Sequence, residues 1–141
     1  MIMRYLGIDY GLKRVGIALC DAGETIVSPL CQFSGPDCRP ENLFAQLREI
    51  ICAHEVEALV VGLPLNMDGS EGPQAQQTRK FAHSLAEKLD LKVYLQDERL
   101  SSFAADEKLG AGAFPERQRR RRRDMLAACE ILQDFIGHKP M

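Results

Sequence analysis

Apolar residues along the chain fall into short runs of two kinds. Three strand-like runs come first: RYLGID (4–9), RVGIALCD (14–21) and TIVSPLCQF (25–33). A tight turn containing Gly11 joins the first two, so the three runs predict an antiparallel meander, with Pro29 marking an edge or a bulge in the third. After the break SGPDCRP, Leu43, Leu47, Ile50 and Ile51 recur on one face of a helix over about 41–54. ALVVGLP (58–64) predicts a compact buried strand stopped by Gly62 and Pro64. A helix follows over about 73–89, with Pro73 suited to its first turn, and then a fifth strand, KVYLQDE (92–98). SSFAADEKL predicts a short helix capped by Ser101 or Ser102, GAGAFPE (110–116) a flexible joint, and DMLAACEILQDFI the last helix. Three strands followed by helix, strand, helix, strand and helix predict an α/β fold, a mixed sheet covered by helices. No repeat or linker divides the chain, and its length suits one domain over residues 1–141.

Composition narrows the class without naming a function. Apolar residues make up 45% and charged residues 27%, as in ordinary globular proteins, and no apolar run is long enough to span a membrane. The N-terminus lacks the long apolar stretch and small-residue cleavage site of a signal peptide. Five scattered cysteines without a C-x-x-C pair argue against a zinc site or a disulfide framework and predict reduced, mostly buried thiols in a cytoplasmic protein. The net charge of -2 conceals a local excess: six of the 18 basic residues (Arg117, Arg119, Arg120, Arg121, Arg122 and Arg123) fall within seven positions. Such a cluster can meet a polyanion even on an acidic protein, although a solvated surface has the same composition.

Four acids could carry chemistry. Asp9 ends an apolar strand, where a carboxylate costs free energy unless compensated, and Gly7 and Gly11 leave room for close approach of a ligand or backbone. Either Asp9 bonds its own turn or it faces a ligand, with Lys13 and Arg14 beside it to meet phosphate oxygens; the motif alone leaves both open. Strand alternation sends Asp97 and Glu98 to opposite faces, so at most one shares a site with Asp9. On a helical wheel Ala128, Ile131 and Phe135 lie within about 40° of Asp124, which puts this acid on an inward stripe near the start of the last helix. A helix-dipole role is the competing reading there. If such acids converge, protons or divalent cations must neutralise them, and oxygen-only ligands suit Mg²⁺ or Mn²⁺, which support phosphodiester hydrolysis. The glycine-rich loop GLPLNMDGSEGPQ lacks the ending of a P-loop and reads as a turn, with Asn66 and Asp68 as minor contacts. His54, His83 and His138 show no ligand spacing.

Four stretches, GIDYGLKRVGIAL, VVGLPLNMDGSEGPQ, DERLSS and DMLAACEILQ, resemble in order the sequence blocks of the YqgF/RuvX family of Holliday junction resolvases and pre-16S rRNA nucleases, over about residues 4–135. The resemblance implies a ribonuclease H-like fold: a five-stranded mixed sheet, three antiparallel strands then two parallel additions, flanked by helices. It implies one or two Mg²⁺ or Mn²⁺ ions held by Asp9, Glu98 and Asp124, with Asp97 in reserve for the second place. One departure is Arg123, where the family usually has a branched apolar residue. It suggests a shifted helix start or a mobile basic segment.

The expectation is a metal-dependent nuclease on structured nucleic acid, by resemblance a processor of precursor rRNA ends. Lys13, Arg14, Arg99 and the arginine cluster would grip phosphates. The alternatives are a resolvase of four-way DNA and a non-cleaving nucleic-acid-binding factor in transcription or ribosome assembly. DYGLKRVG also looks like the first phosphate loop of actin-like ATPases, but those close two lobes and this chain supplies one. A monomer or a homodimer fits, a two-fold junction favouring the dimer.

Overall fold

The strands close into one five-stranded sheet in the computed structural model, which describes residues 4–21, 26–98 and 116–137. The strands are β1 (Tyr5–Tyr10), β2 (Arg14–Cys20), β3 (Val27–Ser34), β4 (Ala58–Leu63) and β5 (Lys92–Asp97), in the order β3-β2-β1-β4-β5. The first three pair antiparallel, while β4 adds parallel to β1 and β5 parallel to β4. β3 is an edge strand, and the register slips opposite it between Ile17 and Ala18, beside the Ala18–Pro29 pair. The proline's missing N–H is tolerated at such a place.

Alternation gives the sheet two apolar faces. Leu6, Ile8, Val15, Ile17, Leu59 and Val61 pack on Leu43, Leu47, Phe81 and Leu85 of α1 (Pro40–His54) and α2 (Pro73–Leu89). Tyr5, Ala18, Cys20, Ala58 and Val60 pack on Ala128, Ile131 and Leu132 of α3 (Glu116–Gly137). Central β4 is buried at all six positions, as a strand covered on both faces must be. Tyr10, at the end of β1, stacks on Phe81 of α2 with centroids 3.9 Å apart, fixing that helix beside the strand's C-terminal end.

The last helix differs from expectation. The arginine cluster lies within α3, so Asp124 occupies its interior rather than its first turn, and a helix-dipole role does not apply. Arginine is a good helix former, and Glu116 pairs with Arg119 and Arg120 one turn on. The joint expected over 110–116 is thereby cut short at Glu116; its other residues, the short helix of SSFAADEKL and His138 lie outside the described residues. Thiol burial is also less complete than the pattern suggests: Cys20 and Cys129 are buried, Cys31 and Cys38 half-buried and Cys52 exposed. Among the described residues no helix is long and apolar enough to cross a membrane.

Candidate active site

Three carboxylates far apart in sequence line one open cleft of about 740 Å³. It lies at the C-terminal ends of parallel β1, β4 and β5, where open α/β sheets take their ligands. Asp9, next to last in β1, shares the α3 face with Tyr5 and Gly7 by alternation. Glu98 directly follows β5, and its backbone N–H donates to the Leu63 carbonyl at 3.2 Å, tying it to the end of β4. Tyr94 packs on the α3 side and Val93 and Leu95 on the other, so alternation sets Glu98 on the face of Asp9 and Asp97 on the opposite one. Asp97 does not line the cleft. Asp124 enters from the inward stripe of α3.

Close approach of α3 depends on glycines in three neighbouring strands. A Cβ on Gly16, the residue paired with Asp9, would overlap the Asp124 carbonyl oxygen. One on Gly62 would overlap Ile131 Cδ1 and lie 2.7 Å from Glu98 Oε2. Gly7 meets Leu132 in the same way, whereas Gly11 fits tightly against the Arg14 carbonyl in the β1–β2 turn. The missing side chains are thus what seat the helix and bring its acid to the other two.

The acids are held in two ways. Asp9 and Glu98 share a side-chain hydrogen bond. Burial, then the nearby charge of Asp124, pushes the Asp9 carboxyl up to about 6 despite that bond and Arg14. Burial, then the charge of Asp9 and their shared bond, pushes Glu98 up to about 9. Two desolvated carboxylates side by side cannot both ionise cheaply, so the pair keeps a proton at neutral pH. Asp124 instead accepts two hydrogen bonds on one oxygen, Oδ2: from Arg14 Nε at 3.0 Å and from Gln32 Nε2 at 2.7 Å. Among the described residues no three His, Cys, Asp or Glu side chains already stand in a metal-holding arrangement. Asp124 shares the cleft with the pair but is not gathered onto a common point with it.

Of the predicted phosphate contacts, exposed Lys13 and half-exposed Arg14 line the cleft, while Arg99 lies outside the described residues. No arginine from 119–123 lines it. Arg121 and Arg122 instead edge a second groove between β3 and α3, floored by Pro29, Leu30, Met125 and Leu126. The Arg117 side chain lies outside the described part of the helix. Asn66 and Asp68 serve their own loop: Asn66 Nδ2 donates to Ser70 Oγ, and Asp68 Oδ1 accepts from the Ser70 N–H and hydroxyl. Neither lines the cleft. Sequence reasoning missed Gln32, whose only signal is an amide in the apolar run PLCQF, and Gln74, Gln77 and Thr78, which form the cleft wall on the first turns of α2.

Comparison with known proteins bears on the chain as a whole. Residues 3–138 match the family model described as RuvX: Holliday junction resolvase. A relative from Myxococcus xanthus named "Putative pre-16S rRNA nuclease" is 40% identical, over 98% of this chain and 91% of its own. One of the same name from Anaeromyxobacter is 43% identical, over 95% of this chain and 96% of its own. The RuvC structure of Thermus thermophilus superposes with a TM-score of 0.56 at 16% identity, over 96% of this chain and 95% of that one, a likeness of fold in the ribonuclease H-like class. On this match and these relatives, the chain belongs to the RuvX family.

Proposed function

We infer that this chain is a nuclease that hydrolyses phosphodiester bonds in structured nucleic acid, with the ends of pre-16S rRNA as its main substrate and divalent Mg²⁺ or Mn²⁺ as its cofactor. The observation that carries the reading is the cleft that Asp9, Glu98 and Asp124 together line at the C-terminal ends of the parallel strands. The donor set fits such a cation: it is all oxygen, and the raised affinity of Asp9 and Glu98 for protons marks a place short of positive charge. Asp9 and Glu98 would hold the ion, with Asp124 as the third ligand. When bound, it would supply Lewis-acid stabilisation of the phosphate and a more acidic water.

The chain's own groups do the rest. Loss of the proton shared by Asp9 and Glu98 readies the pair for a cation. Lys13, in the β1–β2 turn, and Arg14, at the start of β2, line the cleft and bind and orient the scissile phosphate. Gln74, Gln77 and Thr78 bound the opposite wall, with the Thr78 hydroxyl tied to the Gln74 carbonyl at 3.0 Å. Arg121 and Arg122 extend the cationic surface along α3 and hold flanking phosphates independently of sequence.

A Mg²⁺ and Mn²⁺ cleavage panel tests the reading, comparing precursor rRNA ends, four-way DNA junctions and single strands, with Asp9→Asn as control. Cation-dependent cleavage of the rRNA ends, lost in Asp9→Asn, is expected. Preferential cutting of the junction would reassign the substrate to branched DNA. Binding without any cation-dependent product would leave a non-cleaving factor.

A further inference from the structure

The hydrogen bonds on Asp124 point to a function of their own. Both reach one oxygen, and both come from the sheet: Arg14 from the start of β2 and Gln32 from β3. The Asp124 backbone cannot move toward β2, because it already lies on Gly16 with no room for even a Cβ. Side-chain rotation is the motion that leaves this backbone contact intact. In the bonded rotamer the carboxylate is not gathered with Asp9 and Glu98 into a metal-holding group. Arg14 is also the more exposed partner, with 38% of its side chain accessible against 16% for Asp124, and it lines the open cleft. A phosphate entering that cleft meets a guanidinium whose planar fork suits it well.

We propose that Arg14 and Gln32 form a latch on Asp124, and that a substrate phosphate opens it by drawing Arg14 away, delivering the third carboxylate to the cation. This rests on the nuclease reading above and adds to it a coupling: phosphate and cation bind with positive cooperativity, carried by one side chain. Gln32 is a positioning residue. It acts only through Asp124 and holds the latched rotamer closed.

Mn²⁺ binding followed by electron paramagnetic resonance tests the latch without reference to cleavage. The probe is a phosphorothioate-linked trinucleotide, and each protein's Mn²⁺ affinity is read with and without it. Wild type should bind Mn²⁺ about fivefold or more tightly in the presence of the probe. Gln32→Met, similar in length and uncharged, should tighten Mn²⁺ binding without the probe, because Asp124 is released. A purely structural or ligand-orienting role for Gln32 gives the opposite sign. Arg14→Gln should bring the probe's effect close to onefold; taking the ratio within one variant cancels the general effect of removing a cation. Thermal melts of each variant establish that it is folded. Mn²⁺ that binds wild type and is lost in Asp9→Asn, but shows no probe effect and no tightening in Gln32→Met, overturns the latch and leaves the nuclease reading standing. Mn²⁺ that binds wild type and Asp9→Asn alike overturns the metal reading and the latch with it.

Discussion

Replacing Asp9 with Asn should stabilise the cation-free protein while abolishing its response to Mg²⁺. In the folded chain the Asp9 carboxyl is raised from 3.8 to about 6, mainly by burial and next by Asp124. Glu98, bonded to it, is raised from 4.5 to about 9. Between about pH 4 and 9 the folded state therefore binds more protons than the unfolded chain, and stability falls as pH rises through that window. For Asp9 alone, a rise of about two units at 1.36 kcal/mol each gives an upper bound of about 3 kcal/mol at pH 8 and about half that at pH 5. Asparagine keeps the shape, donates to Glu98 and carries no charge, so the variant should recover most of this amount.

At about 3–4 °C per kcal/mol for a chain of this size, Asp9→Asn should melt up to about 10 °C above wild type at pH 8 in EDTA, with a smaller gap at pH 5. Saturating Mg²⁺ should then raise wild type by RT ln(1 + [L]/Kd), about 2.7 kcal/mol at a hundredfold excess over Kd, and leave the variant where it was. Circular-dichroism melts at the two pH values, with and without Mg²⁺, read all of this. A variant no more stable than wild type at pH 8 in EDTA would show that the two carboxyls do not strain one another. A Mg²⁺ shift equal in both proteins would place the ion elsewhere.

Two further perturbations probe the scaffold and the basic surface. Gly16→Ala forces a Cβ into the Asp124 carbonyl, which is backbone and cannot swing aside; urea denaturation should show a loss of about 1–3 kcal/mol and cleavage should fall with it, whereas a neutral result would mean that α3 is not seated on β2. Arg121→Gln combined with Arg122→Gln should lower the salt dependence of nucleic-acid binding by about 0.7–0.9 in log–log slope for each phosphate that the surface no longer neutralises, and an unaltered slope in a filter-binding titration would remove that surface from the interface.

The elements were legible because each announces itself locally: period-two runs for the strands, Leu43 and Leu47 on one helical face, Pro29 at an edge. Asp9 and Asp124 were legible as positions, one at a strand end and one on an apolar stripe. Choosing Glu98 over Asp97 needed the family blocks at first, since alternation separates two neighbours without saying which face is which. The fold supplies that reference through Tyr94, which packs on α3. Gln32 stayed hidden because its partner, Asp124, comes 92 residues later in the chain. The arginine cluster misled for the opposite reason. Its local signature is strong, but charge alone does not mark a break in a helix, and Glu116 one turn earlier turns the same residues into helical ion pairs.

The two modes of holding the acids explain how a fold built around three carboxylates forms before any cation arrives. Converging them all would place three negative charges in one desolvated spot, a cost the chain would meet during folding. Here Asp124 is neutralised by Arg14, and Asp9 and Glu98 keep a proton between them, so about one charge remains unbalanced at neutral pH. That remaining charge sits on the buried Asp9–Glu98 pair at the cleft. Backbone precision and charge assembly are thereby separated: Gly16 and Gly62 fix where α3 and Glu98 lie, while in the proposed latch a proton and one side-chain rotation would decide when the three acids act together. On the proposed latch, such a site holds its acids ready and becomes complete when phosphate and cation are both present.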